Sequence, residues 1–80
     1  MGTERAGRRD LEARAVRRVN RLATTFETSK DAYNRTLRRY RRGRALASDL
    51  LLAELVMIRA AVRLSNVIAR RDQEREGRRR

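Results

Sequence analysis

Arginine dominates the side chains of this sequence that could bind a ligand, with 21 Arg against a single Lys. Guanidinium groups hold carboxylates and phosphates through pairs of fixed donors, so dense arginine points to anionic partners. Two groups of arginines recur along one predicted helix, and we call them the first and second arginine blocks. The first block is Arg14, Arg17, Arg18 and Arg21, and the second block is Arg35, Arg38, Arg39 and Arg42.

The spacing of the two blocks is compatible with a nucleic-acid partner. Their centres are about 21 residues apart, which is roughly 31 Å along a helix and near one turn of duplex DNA. The formal net charge of +12 over 80 residues also favours polyanion binding. We expect contacts mainly to phosphates, which give affinity without sequence choice. A basic face that only keeps an oligomer soluble is the alternative.

The aromatic side chains do not add a base-stacking surface to this pattern. Phe26, Tyr33 and Tyr40 fall on the apolar stripe of the same predicted helix, which favours a place in the core. Proteins that bind single strands usually interleave exposed aromatic rings with their basic groups. The sequence therefore predicts that any nucleic-acid contact is mainly to phosphates.

Catalysis has little to draw on in this sequence. There is no His and no Cys, and neither glycine-rich phosphate loops nor carboxylates at metal-ligand spacing occur. We therefore expect no enzymatic activity, no cofactor and no metal site. The apolar run 50–62 is shorter than the roughly 20 residues that a membrane span needs, and no secretory leader is evident. A cytoplasmic location is expected.

The elements that must position the arginines are helices, since the sequence has no Pro and is rich in Ala, Leu, Arg and Glu. We predict a disordered basic arm at 1–9, a helix at 10–42, a turn at 43–45, a helix at 46–71 and a charged tail at 73–80. Basic residues followed by Gly43 are a recognised stop signal for the first helix. Its apolar heptad positions are Ala15, Val19, Leu22, Phe26, Ser29, Tyr33, Thr36 and Tyr40.

A three-helix fold is the alternative to this hairpin. The segment Thr28-Ser29-Lys30-Asp31 resembles a capping box with Asp in place of Glu, and it lies in a stretch of weak helix formers. A break there would normally reset the apolar phase, yet the heptad continues through it. The sequence therefore favours one continuous first helix.

The second predicted helix carries two apolar stripes, more than a single partner helix covers. The inner stripe is Leu46, Leu50, Ala53, Met57, Ala60, Leu64 and Val67, and the outer stripe is Leu51, Leu55, Ile58, Val62 and Ala69. We therefore predict an all-α antiparallel helical hairpin that assembles as a homodimeric four-helix bundle or a higher helical oligomer. The predicted oligomer interface is Leu51, Leu55, Met57, Ile58 and Val62. Glu54 either pairs with a group on a neighbouring helix or lies exposed at the bundle edge.

Two functions are consistent with these patterns. The arginine blocks favour a nucleic-acid-binding helical oligomer, acting as a regulatory or packaging accessory. The excess apolar surface of the second helix favours a protein–protein interaction module or structural subunit that docks a partner. Binding to an anionic membrane surface is less favoured, because the arginines and the apolar stripes lie on different helices.

Overall fold

The structure, a computed structural model, describes the backbone of residues 2–79 and the side chains of residues 7–77. Its helices, α1 (Gly2–Arg41) and α2 (Ala47–Arg79), pack against each other as a hairpin. The molecule measures 63 × 24 × 13 Å, so it is a single layer one helix thick. The predicted all-helical hairpin is confirmed.

Both helices extend beyond the ends predicted from the sequence. Residues 2–9, predicted as a disordered arm, form the first turns of α1, and residues 73–79 of the predicted tail continue α2. Neither segment contains a proline, and a single glycine such as Gly7 or Gly77 costs a helix only about 1 kcal/mol, so both segments remain helical although they lack apolar periodicity. Met1 and Arg80, at the ends of the predicted arm and tail, lie outside the described residues.

Helix α1 is continuous through its threonine-rich middle, so the three-helix alternative is wrong. The hydroxyls of Thr24, Thr25 and Ser29 each donate to the carbonyl four residues earlier, at 2.9, 3.0 and 2.8 Å. Such bonds satisfy the hydroxyls without disturbing the backbone ladder, at a small cost in helix stability. The segment that resembles a capping box therefore remains helical.

The turn after α1 is closed by backbone hydrogen bonds that require a glycine. The amide of Arg44 donates to the carbonyl of Arg39 at 2.8 Å, and the amide of Gly43 donates to the carbonyl of Tyr40 at 3.0 Å. This pair of bonds is the Schellman arrangement, in which the residue after the helix end adopts the left-handed conformation. Gly43 has φ of 71°, where a side chain would be strained.

Helix α2 is capped by a carboxylate in its first turn. The Leu46 amide donates to Oδ2 of Asp49 at 3.0 Å, which is the backward half of a capping box. The negative charge also suits the positive end of the helix dipole. Ser48 lies inside the first turn of α2, and Asp49 makes the capping bond.

The helices pack through small residues at the centre of the hairpin. Among the described side chains, Ala60 at 7% exposed and Ser29 at 8% are the buried ones. Each lies about 15 residues from the turn, so an antiparallel register places them opposite each other. Half-buried neighbours flank them, and these are Leu22, Phe26, Tyr33 and Thr36 on α1 and Leu50, Ala53, Met57, Leu64 and Val67 on α2.

The inner stripe predicted for α2 thus faces α1, with one exception. Leu46 precedes the first residue of α2 and is 69% exposed, because it belongs to the turn and lies beyond the packed part of the hairpin.

We expect Gly43→Ala to lower the free energy of unfolding by about 1 kcal/mol, because alanine resists a positive φ. No atom lies within 4 Å of the Cβ that a side chain would add, so the loss is conformational and not steric. Gly43→Asn is the matched control and should lose less, since asparagine tolerates this conformation. Urea unfolding at one fixed protein concentration measures both. Equal losses in the two variants would contradict this account.

Ala60→Leu should destabilise the hairpin by roughly 1–3 kcal/mol, because the larger side chain forces the closely packed helices apart. Ala47→Leu places the same side chain at the exposed start of α2 and should change stability by less than about 0.5 kcal/mol. Thermal unfolding followed by circular dichroism compares the two. A neutral Ala60→Leu would show that Ala60 is not at the closest approach.

Candidate functional site

All eight arginines of the two blocks have exposed side chains. The first block lies wholly within α1, while Arg42 of the second block falls in the turn just after it. An uninterrupted helix joins the blocks, so their separation of roughly 31 Å is held by a rigid element. The two blocks are therefore available to an extended partner.

The blocks do not form one continuous basic face, however. Exposed Thr24, Thr28 and Asp31 lie between them and carry no positive charge. The structure thus separates the blocks along the helix.

The first block instead adjoins arginines of α2. One hollow between the helices, of about 390 Å³, is lined by Arg18, Leu22, Arg63, Asn66, Val67 and Arg70. A neighbouring hollow is lined by Arg18, Arg21, Leu22 and Thr25. Within the described residues, neither lining includes a carboxylate. We call these two hollows together the basic groove.

A third hollow, nearer the chain ends, has a different electrostatic character. It is lined by Arg8, Leu11, Glu12, Ala15, Val16, Arg71, Glu74 and Arg75, so carboxylates accompany its arginines. A smaller hollow beside it adds Asp72 to Arg71 and Arg75. Of these four hollows, the two of the basic groove are the ones whose described linings include no carboxylate.

The sequence did not identify the α2 arginines of the basic groove as site residues. Arg63 and Arg70 belong to the thin polar stripe of that helix and look like ordinary solvated residues when the helix is read alone. Only the register between two antiparallel helices places them beside Arg18. Positions equidistant from Gly43 lie opposite each other in an antiparallel hairpin, so Arg18, 25 residues before it, could have been placed near Arg70, 27 residues after it.

The outer stripe of α2 is exposed along its whole length. Leu51 is 65% exposed, Val62 51%, Ile58 47% and Leu55 43%, and Ala69 is also exposed. Leu51 and Ala69 each lie nine residues from buried Ala60, which is half a turn around the helix. This surface, which we call the outer apolar face, points directly away from α1.

Two details of the outer apolar face differ from the sequence prediction. Met57 was expected at the oligomer interface, but it is half-buried on the side of α2 that packs on α1. Its position one turn from both Ala53 and Ala60 explains this placement. Conversely, Leu52 and Val56 are 64% and 50% exposed beside the outer apolar face, and no predicted stripe included them.

The aromatic residues divide between the interior and the surface. Phe26 and Tyr33 are half-buried between the helices, as their heptad positions predict. Tyr40 is 43% exposed, because it lies in the last turn of α1 where α2 no longer covers it. None of the three lines the basic groove.

Other kinds of site find no support in the described part of the chain. The side chains that the structure describes include no cluster of three or more His, Cys, Asp or Glu arranged to bind a metal ion. Neither α1 nor α2, over the residues described, has a stretch both long and apolar enough to cross a membrane. Glu54 is half-buried at the edge of α2.

No protein-family model, curated protein or solved structure matches the chain. Its function is therefore inferred from the two exposed surfaces, the arginine-rich side of the hairpin and the outer apolar face of α2.

Proposed function

We propose that this protein is a small, basic, oligomeric helical protein that binds nucleic acid mainly through phosphate contacts, as a regulatory or packaging accessory in the cytoplasm. The observation that carries the proposal is the exposed first arginine block, of which Arg18 shares with Arg63 and Arg70 of α2 a hollow whose described lining includes no carboxylate. Like charges one turn apart on a helix destabilise it, so an anionic ligand is the natural complement. The role is one of binding, without catalysis.

Self-association is the second part of the proposal, and the surface area supports it. The chain exposes 7256 Å², whereas a folded monomer of 9.4 kDa exposes about 5,000 Å². The excess of roughly 2,000 Å² is on the scale that a protomer buries in an obligate homodimer. A second copy of this chain, packed on the outer apolar face, would remove much of it from water.

The position of the outer apolar face favours a particular arrangement of the homodimeric four-helix assembly. Because this face lies opposite the α1-facing side, α2 would pack on α2 of the second copy. The two α1 helices would then lie outermost, with their arginine blocks in solvent. The dimer would present basic surfaces from both chains to one nucleic acid.

A protein–protein interaction module is the second candidate function. The observation that favours it is the same outer apolar face, which would accept an amphipathic helix of another protein in place of a second copy. In that case the arginine blocks would meet an acidic protein or keep the chain soluble. Absence of binding to DNA and RNA at low salt would put this candidate first.

We expect Ile58→Asp to reduce the mass in solution to that of the 9.4 kDa chain, because a charge in an apolar interface costs several kcal/mol. Gln73→Asp adds the same charge at an exposed polar position of α2 and should keep the wild-type mass. Met57→Asp should instead lower the helix content, because Met57 packs on α1. Light scattering and circular dichroism measure these effects. A wild-type chain that stays a folded monomer at micromolar concentration would contradict self-association.

Changing the first arginine block to glutamine should weaken binding to all nucleic-acid sequences about equally. The slope of log K against log salt should become shallower by about 0.9 for each duplex phosphate that the variant no longer neutralises. The matched control changes Arg75, Arg78, Arg79 and Arg80 to glutamine, which removes the same charge from the chain end and should alter the slope less. Fluorescence anisotropy across a salt series provides the measurement. Equal slopes for the two variants would show that the first arginine block contributes only its net charge and not specific phosphate contacts.

A further inference from the structure

The basic groove combines side chains that neither helix provides alone. Arg18 and Arg21 come from α1, while Arg63, Asn66 and Arg70 come from α2. Leu22 and Val67 line the same hollow and supply apolar surface between the charged groups. The groove exists only when the hairpin is folded.

The arginines of the groove have few acidic neighbours to neutralise them. No acidic residue lies three or four positions from Arg18, Arg21 or Arg63 in the sequence, and only Arg70 has one, Glu74. On a helix these are the positions whose side chains meet. Positive charge held together in this way attracts an anion that contacts several guanidinium groups at once.

The lining indicates which part of a nucleic acid would occupy the groove. Guanidinium groups donate several hydrogen bonds and accept none, and they match the geometry of phosphate oxygens. The lining described contains no aromatic ring on which a base would stack. The Thr25 hydroxyl already donates to the Arg21 carbonyl at 3.0 Å. Phosphate is therefore the favoured ligand.

The groove stays accessible when the outer apolar face is covered. Arg63 directly follows Val62, and Arg70 directly follows Ala69, so each is turned about 100° from an outer apolar residue. Both arginines are exposed, beside that face and not within it. Pairing of two copies through α2 would leave the groove open to a ligand.

We propose that the basic groove seats the phosphodiester backbone of one nucleic-acid strand, with Arg18, Arg21, Arg63 and Arg70 on successive phosphates and the Asn66 amide as a further donor. This inference rests on the proposed nucleic-acid function. It moves the principal contact from the outward side of α1 to the groove between the helices, and it adds α2 to the binding surface.

The test compares two double variants with the same loss of charge on the same helix. Arg63→Gln with Arg70→Gln removes the α2 half of the groove. Arg71→Gln with Arg75→Gln is the matched control, because these arginines line the hollows that contain Asp72 and Glu74. Binding to a short DNA duplex, and to a single strand of the same sequence, is measured by fluorescence anisotropy over a salt series.

The groove variant should make the log–log salt slope shallower by about 1.8 on the duplex and about 1.4 on the single strand, which corresponds to two phosphates that are no longer neutralised. The control variant should keep the wild-type slope on both probes. Circular dichroism and light scattering establish that both variants fold and assemble as wild type.

A second pair of variants keeps the test decisive if the groove variant loses its fold. Asn66→Asp places a carboxylate in the groove, while Gln73→Glu adds the same charge at an exposed position outside it. Asn66→Asp should weaken binding at least tenfold more than Gln73→Glu at low salt.

The outcomes separate the two levels of the proposal. Wild-type binding with equal losses in the groove and control variants overturns the groove and leaves the proposed function intact. An unchanged salt slope in the groove variant also overturns the groove assignment and leaves the proposed function intact. Absence of wild-type binding to either probe overturns the proposed function, and the groove assignment with it.

Discussion

A two-helix layer can bury only the stripes along which its helices touch, and this geometric limit governs the whole molecule. Ser29 and Ala60 are the buried side chains among those described, at 8% and 7% exposed, and the apolar residues around them are half-buried. Such a small core offsets little of the conformational entropy lost on folding. This small core is the physical reason for the proposed self-association, and the exposed apolar side of α2 is where its contacts would form.

The two helices differ in how their apolar residues are distributed around the helix axis. Helix α1 keeps its apolar residues on one stripe and leaves the rest charged, so it tolerates solvent on its outer side. Helix α2 is apolar on two opposite sides and has only a narrow polar flank, which includes Arg63 and Arg70. The proposed assembly and the proposed anion binding would thus use adjacent but separate surfaces of α2, so one would not block the other.

Periodicity in the sequence predicts most of this architecture, because each helix carries an unbroken apolar phase and Gly43 marks the turn. The sequence also separates the inner stripe of α2 from the outer one. Prediction from the sequence fails where it requires the position of one chain segment relative to another. Arg18 meets Arg63 only through the antiparallel register, and Met57 faces inward because Ala53 and Ala60 do. The helix ends were misjudged because charged, aperiodic residues resemble a tail, yet both end segments lack proline and their glycines do not end the helices.

The net positive charge would oppose the proposed assembly of two copies, and salt would affect that assembly and the proposed nucleic-acid binding in opposite directions. Two copies, each carrying +12, repel one another, most strongly when ionic strength is low. Near physiological salt the screening length falls to about 8 Å, so arginines on the outer sides of the α1 helices would hardly oppose pairing through α2. A bound nucleic acid neutralises the same arginines and removes the repulsion at low salt, where its own affinity is greatest. Added salt should therefore weaken nucleic-acid binding while it favours self-association of the free protein. A protein that merely used its arginines for solubility would show only the second effect.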